Sequence, residues 1–421
     1  DRVILHCDLN CFFASVELLE KPALQNVPVA VCGDPEGRHG IVLAKNNIAK
    51  GFGVVTAETI WEAKRKCPNL IILQPGFSLY EALSAKAQTV YYHYSDLVEP
   101  FGIDECWVEL TDRFSSFEKG VQIANEIRER VKKELGITLS AGVSYNKVFA
   151  KLGSDLKKPD AVTLITPEAV PQTVWPLPCG DLLMVGKSTA KTLRGMGIFT
   201  IGDLAASLNF ALEKNGFPTY TAQADAQALR TKLGKNGVAL KESAMGNDRS
   251  PVRPFHLREK PKSIGRSATA ERDLTTYEEI FSAILHFSEL VCERLHAEGL
   301  LARTVAVHTL TCDFERQEFQ APLERPTDLS GFLAKSAMEL FRKNASLEKP
   351  MRAVGVRATD LTDGRAGVRQ ISLFDHSQEL ETQQNLEDSI LQIRHRFGAD
   401  SVKRAVCMNR LADPSTPGFY K

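Results

Sequence analysis

The chain has 421 residues, 43% of them hydrophobic, and its 52 basic side chains balance 52 acidic ones for a formal net charge of +0. That length supports about two to four domains with buried cores. No apolar run reaches the roughly 18 residues that a membrane span needs, and no signal-peptide pattern opens the chain, so no membrane partner is expected. The nine cysteines contain no Cys-x-x-Cys pair. They fit neither a zinc site nor a disulfide framework, and the odd number points to reduced thiols in a cytoplasm. A uniformly basic nucleic-acid binder is excluded by the charge balance; one with locally clustered basic residues is not, because phosphates respond to local charge. Since the first residue is Asp1 and not Met, a short piece of the natural N-terminus is expected to be missing.

In chain order, Arg2-Val-Ile-Leu-His-Cys-Asp8 reads as an apolar strand ending in an acid, followed by a helix over Phe12–Glu20. Val27–Cys32 reads as a strand, then a Gly-rich turn leads through Gly40 to a strand at Ile41–Ala44. Asn46–Gly51 and Ile60–Lys66 read as helices and Leu70–Leu73 as a strand, so that 16–75 forms a small inserted subdomain. A helix at Leu79–Ser95 precedes Phe101-Gly-Ile-Asp-Glu-Cys-Trp-Val-Glu-Leu110. There Cys106, Val108 and Leu110 alternate with Trp107 and Glu109, which predicts a tight hairpin with Asp104 and Glu105 at or beside its turn. Acids near a turn are usually only solvated.

Asp8 changes that reading, because three carboxylates from two strand ends can meet at one sheet edge. Like charges so gathered repel unless a cation neutralises them. An all-oxygen donor set suits magnesium, which binds through a few carboxylates plus substrate phosphates, and two such ions make a phosphoryl-transfer site.

An amphipathic helix over Phe114–Leu135 and a strand over Ile137–Val143 follow. With the insertion set aside, the order is β-α-β-β-α-β, the split ferredoxin-like motif. Tyr145–Pro159 is basic and helical, with Lys147, Lys151 and Lys158 close to one face, which by itself is more often a solvated surface. Thr166–Pro178 reads as a proline-spaced linker and Leu182–Gly197 as helix, turn, helix. From Asn247 to Arg272 the charge shifts to basic, and Lys260-Pro-Lys-Ser-Ile-Gly-Arg266 leads into a strand. Helix Tyr277–Glu298, strand Arg303–Leu310, helix Ser330–Lys343 and strand Met351–Ala358 predict a four-stranded sheet from two strand-helix-strand units. The tail carries Gln370-Ile-Ser-Leu-Phe-Asp375 and a helix-like Asn385–Phe397.

Asp8-Leu-Asn-Cys-Phe-Phe-Ala-Ser-Val-Glu17 together with Gly102-Ile-Asp-Glu105 resembles the catalytic signature of the Y-family, DinB-type (polymerase IV/kappa-like) translesion DNA polymerases. The likeness continues in order through Lys158, the later hairpin and the tail. It implies an α+β multidomain fold: a ferredoxin-like palm (1–15 and 76–165), inserted fingers (16–75), a helix-hairpin-helix thumb (166–246), a linker (247–260), a little finger (261–360) and a tail (361–421). It implies error-prone translesion synthesis by two-metal nucleotidyl transfer from a dNTP to a primer 3′-hydroxyl, without proofreading.

The same resemblance implies roles. Asp8, Asp104 and Glu105, with the Leu9 carbonyl, would hold two Mg2+ ions. Phe13 would be the steric gate against a ribose 2′-hydroxyl. Leu9, Cys11, Phe12, Phe13, Asn47, Lys50 and Lys158 would line the nucleotide site, Lys158 on the triphosphate. Asn47 and Lys50 stand where the family usually has Tyr and Arg; Lys keeps the charge and loses the bidentate fork. Gly186 and Lys187 in the hairpin turn, whose usual first glycine is Met184 here, would bind a DNA backbone phosphate. Lys260, Lys262, Ser263, Gly265 and Arg266 would also contact DNA. Gln370, Leu373 and Phe374 would dock on a sliding clamp. The expected protein is a monomer acting on primer-template DNA in the cytoplasm, associated with a bacterial nucleoid. Residues 210–227 exceed the family's usual length and have no assigned role. Two other readings stand beside this one: a non-catalytic DNA- or clamp-binding relative, and a nucleotide cyclase built on a similar palm.

Overall fold

A computed structural model describes residues 2–34, 40–111, 116–206, 226–254, 260–364, 377–398 and 401–407. The chain divides into two compact units, 1–32 with 41–258 and 33–40 with 259–421.

The first unit is built on a five-stranded sheet of order β5-β6-β1-β7-β8. Its strands are β1 (Ile4–Leu9), β5 (Val98–Pro100), β6 (Glu105–Glu109), β7 (Leu139–Ser144) and β8 (Val162–Ile165). β1 is central, wholly buried, and antiparallel to both β6 and β7. Its side chains alternate between faces. Val3, Leu5, Cys7 and Leu9 enter a core with helices α1 (Phe12–Leu19), α4 (Phe77–Tyr92) and α5 (Phe117–Leu135). His6 and Asp8 point to the other face, under α6 (Lys147–Leu156). Close approach there depends on Gly142: a Cβ on it would lie 1.9 Å from the Ala150 carbonyl oxygen. Local signals set the helix ends. Ser116 accepts from the Lys119 amide to start α5, and Gly136, at φ 71°, ends it in the left-handed region.

The β-α-β-β-α-β order expected from sequence is present as β1, α4, β5, β6, α5 and β7. The structure adds β8, parallel to β7, which sequence left unassigned. Between α1 and α4 lies a three-stranded sheet of order β3-β2-β4, with β2 (Val29–Cys32), β3 (Val42–Lys45), β4 (Ile71–Leu73), α2 (Asn47–Gly51) and α3 (Ile60–Lys66) around a small core of its own. Thr59 and Glu62 form a reciprocal cap at the start of α3.

Thr166–Pro178, expected as a linker, instead contains a 3₁₀ turn at Pro167–Ala169 and the short helix α7 (Val170–Thr173). The helix-turn-helix expected over Leu182–Gly197 also differs. Its first half, Leu182–Gly186, is irregular and follows a 3₁₀ turn at Cys179–Asp181; only α8 (Lys187–Gly195) is helical. Met184 takes φ 69° in that stretch, which interrupts any helix through it. α9 (Ile201–Ala205) and α10 (Ala226–Ala244), the latter broken at Gly234, complete this part. They share a core with Phe149, Leu152 and Ile165 of the palm. Most of 210–227 falls outside the described residues.

The second unit is a four-stranded antiparallel sheet of order β11-β10-β12-β9 backed by two helices. Its elements are β9 (Ser263–Leu274), α11 (Tyr277–Glu298), β10 (Leu300–Thr311), β11 (Arg316–Thr327), α12 (Ser330–Asn344) and β12 (Met351–Asp363). β11 had no counterpart in the named sequence elements. α13 (Ser377–Phe397) folds back on this unit. Arg394 and Arg404 reach the buried Glu289 at 3.0 and 2.7 Å, and Glu387 accepts from the Ser330 amide at the start of α12. No helix among the described residues is long and apolar enough to cross a membrane.

Candidate active site

Asp8 and Glu105 are direct partners across β1 and β6, so their side chains leave the same face of the sheet. Asp104 is the last residue of the turn before β6; Gly102, at φ 84°, makes that turn possible. The Leu9 amide donates to the Asp104 carbonyl at 3.0 Å, which draws the turn against the end of β1. The three acids therefore share one corner of the sheet, as expected from sequence.

Two lysines balance them. Lys158 Nζ lies 2.6 Å from Asp8 Oδ2 and 2.8 Å from Asp155 Oδ1. Lys151 Nζ lies 2.7 Å from Glu105 Oε2, and His6 Nε2 approaches the same oxygen to 3.3 Å. The carboxyls respond differently. Burial lifts Asp8 to about 7 against the pull of Lys158, and Glu105 and Asp104 push it further up. Burial and then Glu105 lift Asp104 to about 6. Burial also acts against Glu105, yet His6 and Lys151 outweigh it and hold the group down at about 2.

Among the described residues, no three His, Cys, Asp or Glu side chains already enclose one metal position. Magnesium does not require such a cage; it keeps waters and takes one or two carboxylates with substrate phosphates. Three carboxyls at one sheet corner, two of them pushed up by burial and by neighbouring acids, form a hard-oxygen set that an added cation would stabilise. That set fits Mg2+ at Asp8, Asp104 and Glu105.

On the nucleotide side, Phe12 and Phe13 are both buried in the palm core. Phe13 stacks on Tyr80 with centroids 4.2 Å apart and 11° between planes, and Phe77 meets it edge-on. Tyr80 is held in turn by Glu17, at 2.8 Å. Cys11 takes φ 48° at the start of α1, and its thiol donates to Asn47 Oδ1 at 3.6 Å. Lys50 is exposed on α2. Burial raises the Cys11 thiol, while Lys45, Lys50 and Lys158 all lie near enough to pull it down.

Of the residues expected on DNA, Gly186 caps α8 and Lys187 begins it. Lys260, exposed, pairs with Asp363, and Lys262 is exposed. Ser263 and Gly265 lie on the open face of the second unit's sheet. Arg266 does not: it alternates with them and shares the helix-covered side with the buried Ile264. Gln370, Leu373 and Phe374 lie outside the described residues.

Sequence reasoning passed over several site residues. His6 was readable as the same-face neighbour of Asp8 by period two. Asn10 accepts from the Asp160 amide at 2.8 Å and donates to Ser140 at 3.0 Å, fixing the turn that follows Lys158. Lys151 stood out only as a member of a basic face. Nothing local marked Tyr80.

The comparisons with known proteins agree with this architecture. Residues 7–155 match the impB/mucB/samB family and 261–373 match the C-terminal domain of that family. DNA polymerase IV of Acetivibrio thermocellus is 46% identical over 407 residues, covering 97% of this chain and 98% of that protein. DNA polymerase IV 1 of Bacillus subtilis is 34% identical, covering 97% and 94%. Among solved structures, a Y-family DNA polymerase chimera superposes with TM-score 0.71 at 22% identity, covering 86% of this chain and 99% of the chimera, which establishes the shared fold. With both halves of the family pattern matched and close relatives spanning its full length, the chain belongs to the impB/mucB/samB family, the Y-family DNA polymerases of the polymerase IV type.

Proposed function

We propose that the chain extends a DNA primer by metal-assisted nucleotidyl transfer, inserting deoxynucleotides opposite damaged as well as intact template bases. The observation that carries this reading is the direct pairing of Asp8 with Glu105, with Asp104 in the adjoining turn. Bound there, two Mg2+ ions would activate the primer hydroxyl and stabilise the leaving phosphate.

The chain's own residues supply the rest. Asp8, Asp104, Glu105 and the Leu9 carbonyl hold the metals. Lys158 serves the triphosphate and is kept in its charged form by Asp8 and Asp155 despite burial. Phe13, braced by Tyr80, is the gate against a ribose 2′-hydroxyl. Cys11, Phe12, Asn47 and Lys50 line the nucleotide. The fingers have a core of few residues, and such a lid tolerates a distorted pair, so synthesis is error-prone and uncorrected. Gly186, Lys187, Lys260, Lys262, Ser263 and Gly265 meet the DNA backbone, and 370–375 is the segment for a sliding clamp.

Primer extension with Mg2+ tests this. Asp8→Asn and Glu105→Gln should each lower kcat/KM at least about a thousandfold, equivalent to about 4 kcal/mol of transition-state stabilisation. Undiminished extension by both variants returns the chain to a non-catalytic DNA-binding role.

A further inference from the structure

One buried carboxylate has no part in the reaction scheme, yet it stands behind the gate ring. Glu17 lies on α1, one turn past Phe13. Its Oε1 accepts two hydrogen bonds, from the Tyr80 hydroxyl at 2.8 Å and from the Gly76 amide at 3.1 Å. Its Oε2 lies 2.9 Å from Lys21 Nζ. Both donors to Oε1 come from the far end of the insertion, because the three-stranded sheet is inserted between α1 and α4 and Gly76 is the residue just before α4. That helix has no side-chain cap at Gly76, so Glu17 supplies the acceptor that a capping residue would.

Tyr80 is wholly buried. Burial and then Glu17 raise its phenol, so the hydroxyl stays protonated and donates. A buried hydroxyl left without a partner is costly, so the ring goes where its acceptor is. Phe13 lies flat on that ring, and Phe77 closes the cluster edge-on to both, at centroid distances of 5.9 and 5.6 Å. A shift of the phenol oxygen therefore moves the surface on which Phe13 rests.

We propose that Glu17 is a positioning residue for sugar selection: by fixing the Tyr80 hydroxyl and the start of α4 together, it sets how closely Phe13 approaches a ribose 2′ position. The inference deepens the gate reading above and rests on it. Both hydrogen bonds need an acceptor and neither needs a charge, so a glutamine serves in place of the carboxylate.

The test measures kcat/KM for a deoxynucleotide and for the matching ribonucleotide, using the full chain and the variants Phe13→Ala, Glu17→Leu, Glu17→Gln and Tyr80→Phe, with the double variant of Glu17→Leu and Tyr80→Phe. Melting temperature is followed in parallel. Phe13→Ala should abolish most of the selectivity and sets the scale. Glu17→Leu should lower the deoxy-to-ribo ratio about three- to tenfold, the size of one lost hydrogen bond. Glu17→Gln should keep the wild-type ratio. Tyr80→Phe should match Glu17→Leu, and the double variant should lose no more than either alone. A lowered melting temperature with a wild-type ratio in Glu17→Leu and Tyr80→Phe, while Phe13→Ala loses selectivity, makes Glu17 a cap for α4 and overturns the positioning role alone. Losses that multiply in the double variant overturn the route through Tyr80, and an equal loss in Glu17→Gln overturns the acceptor role. Wild-type selectivity in Phe13→Ala overturns the gate reading and this inference with it. If Glu17→Leu does not fold, Tyr80→Phe, which keeps the ring, decides the matter: a wild-type ratio there overturns the proposal.

Discussion

Asp8 and Glu105 face each other across two strands yet titrate in opposite directions, because their neighbours differ. Glu105 has the Lys151 ammonium on one oxygen and the His6 ring beside it; Asp8 has one lysine, shared with Asp155, and two acids nearby. The consequence for stability has a definite sign. Asp8 and Asp104 have folded pKa values, about 7 and about 6, above their ordinary 3.8. They are protonated in the folded protein where the unfolded chain has already ionised. Each therefore destabilises the fold as pH rises from about 4 towards its folded value. Glu105 is the reverse: its contribution is present above 4.5 and is lost as pH falls towards 2. Of these three acids only the two aspartates vary between pH 5 and 8; buried His6 and His308, both lowered by burial, act in the opposite direction as pH rises. In EDTA, Asp8→Asn should therefore remove a downward component of several degrees from the melting temperature over that range, read as a difference from the wild type at each pH. Equal slopes for the two proteins, by calorimetry, would show that Asp8 is not strained. Saturating Mg2+ should remove the same component from the wild-type curve, since a cation replaces the missing proton.

At the scale of elements, α6 decides whether the residue chemistry exists. It carries Lys151 and Ser154, leads to Lys158, and lies on the sheet where its own Gly153 meets Gly142 of β7. Alanine at Gly142 would put its Cβ 1.9 Å from the Ala150 oxygen and 2.6 Å from the Ser154 nitrogen, both main-chain atoms. Relief requires α6 to lift. Gly142→Ala should cost roughly 1–3 kcal/mol and lower extension further than the stability loss explains, because both lysines move with the helix. Gly195→Ala, in a helix with open space around it, is the control and should be neutral or slightly stabilising. Equal activity in both variants would separate α6 from the site. Much of this layer was legible in sequence, since the strand carrying Asp8, the hairpin with the acid pair and the β-α-β-β-α-β order all follow from periodicity. What escaped depends on distant partners. Lys147 looks like a solvated face residue, yet its ammonium is buried against Glu99 at 2.7 Å, 48 residues away. β8 is four residues long, too short for a pattern to stand out. β11 carries Pro322 and Pro326 among alternating charges and reads as a loop; as the edge strand it tolerates both. Leu182–Gly186 has helical composition, and Met184 at a positive φ overrides it.

At the scale of the whole molecule, the two units have separate cores and should unfold as separate transitions. The second unit includes a part that composition would assign to a trailing tail. Its helix α13 and residues 401–407 bring Arg394 and Arg404 to Glu289, which is only 9% exposed, and set Glu387 over the first amides of α12. A buried carboxylate stripped of both cations costs more than the pair contributes when intact, about 3–5 kcal/mol. The α12 amides would lose their acceptor at the same time, at about 1 kcal/mol. Ending the chain after residue 376 should therefore lower the melting temperature of the second unit and leave that of the first unchanged. Adding Glu289→Gln to the shortened chain should restore part of the loss, because it removes the stranded charge. Two calorimetric transitions that shift together on truncation would mean that the units do not unfold independently. An unshifted second transition would mean that α13 contributes nothing to the little-finger fold, and that Glu289 finds water or another cation when its arginines are gone.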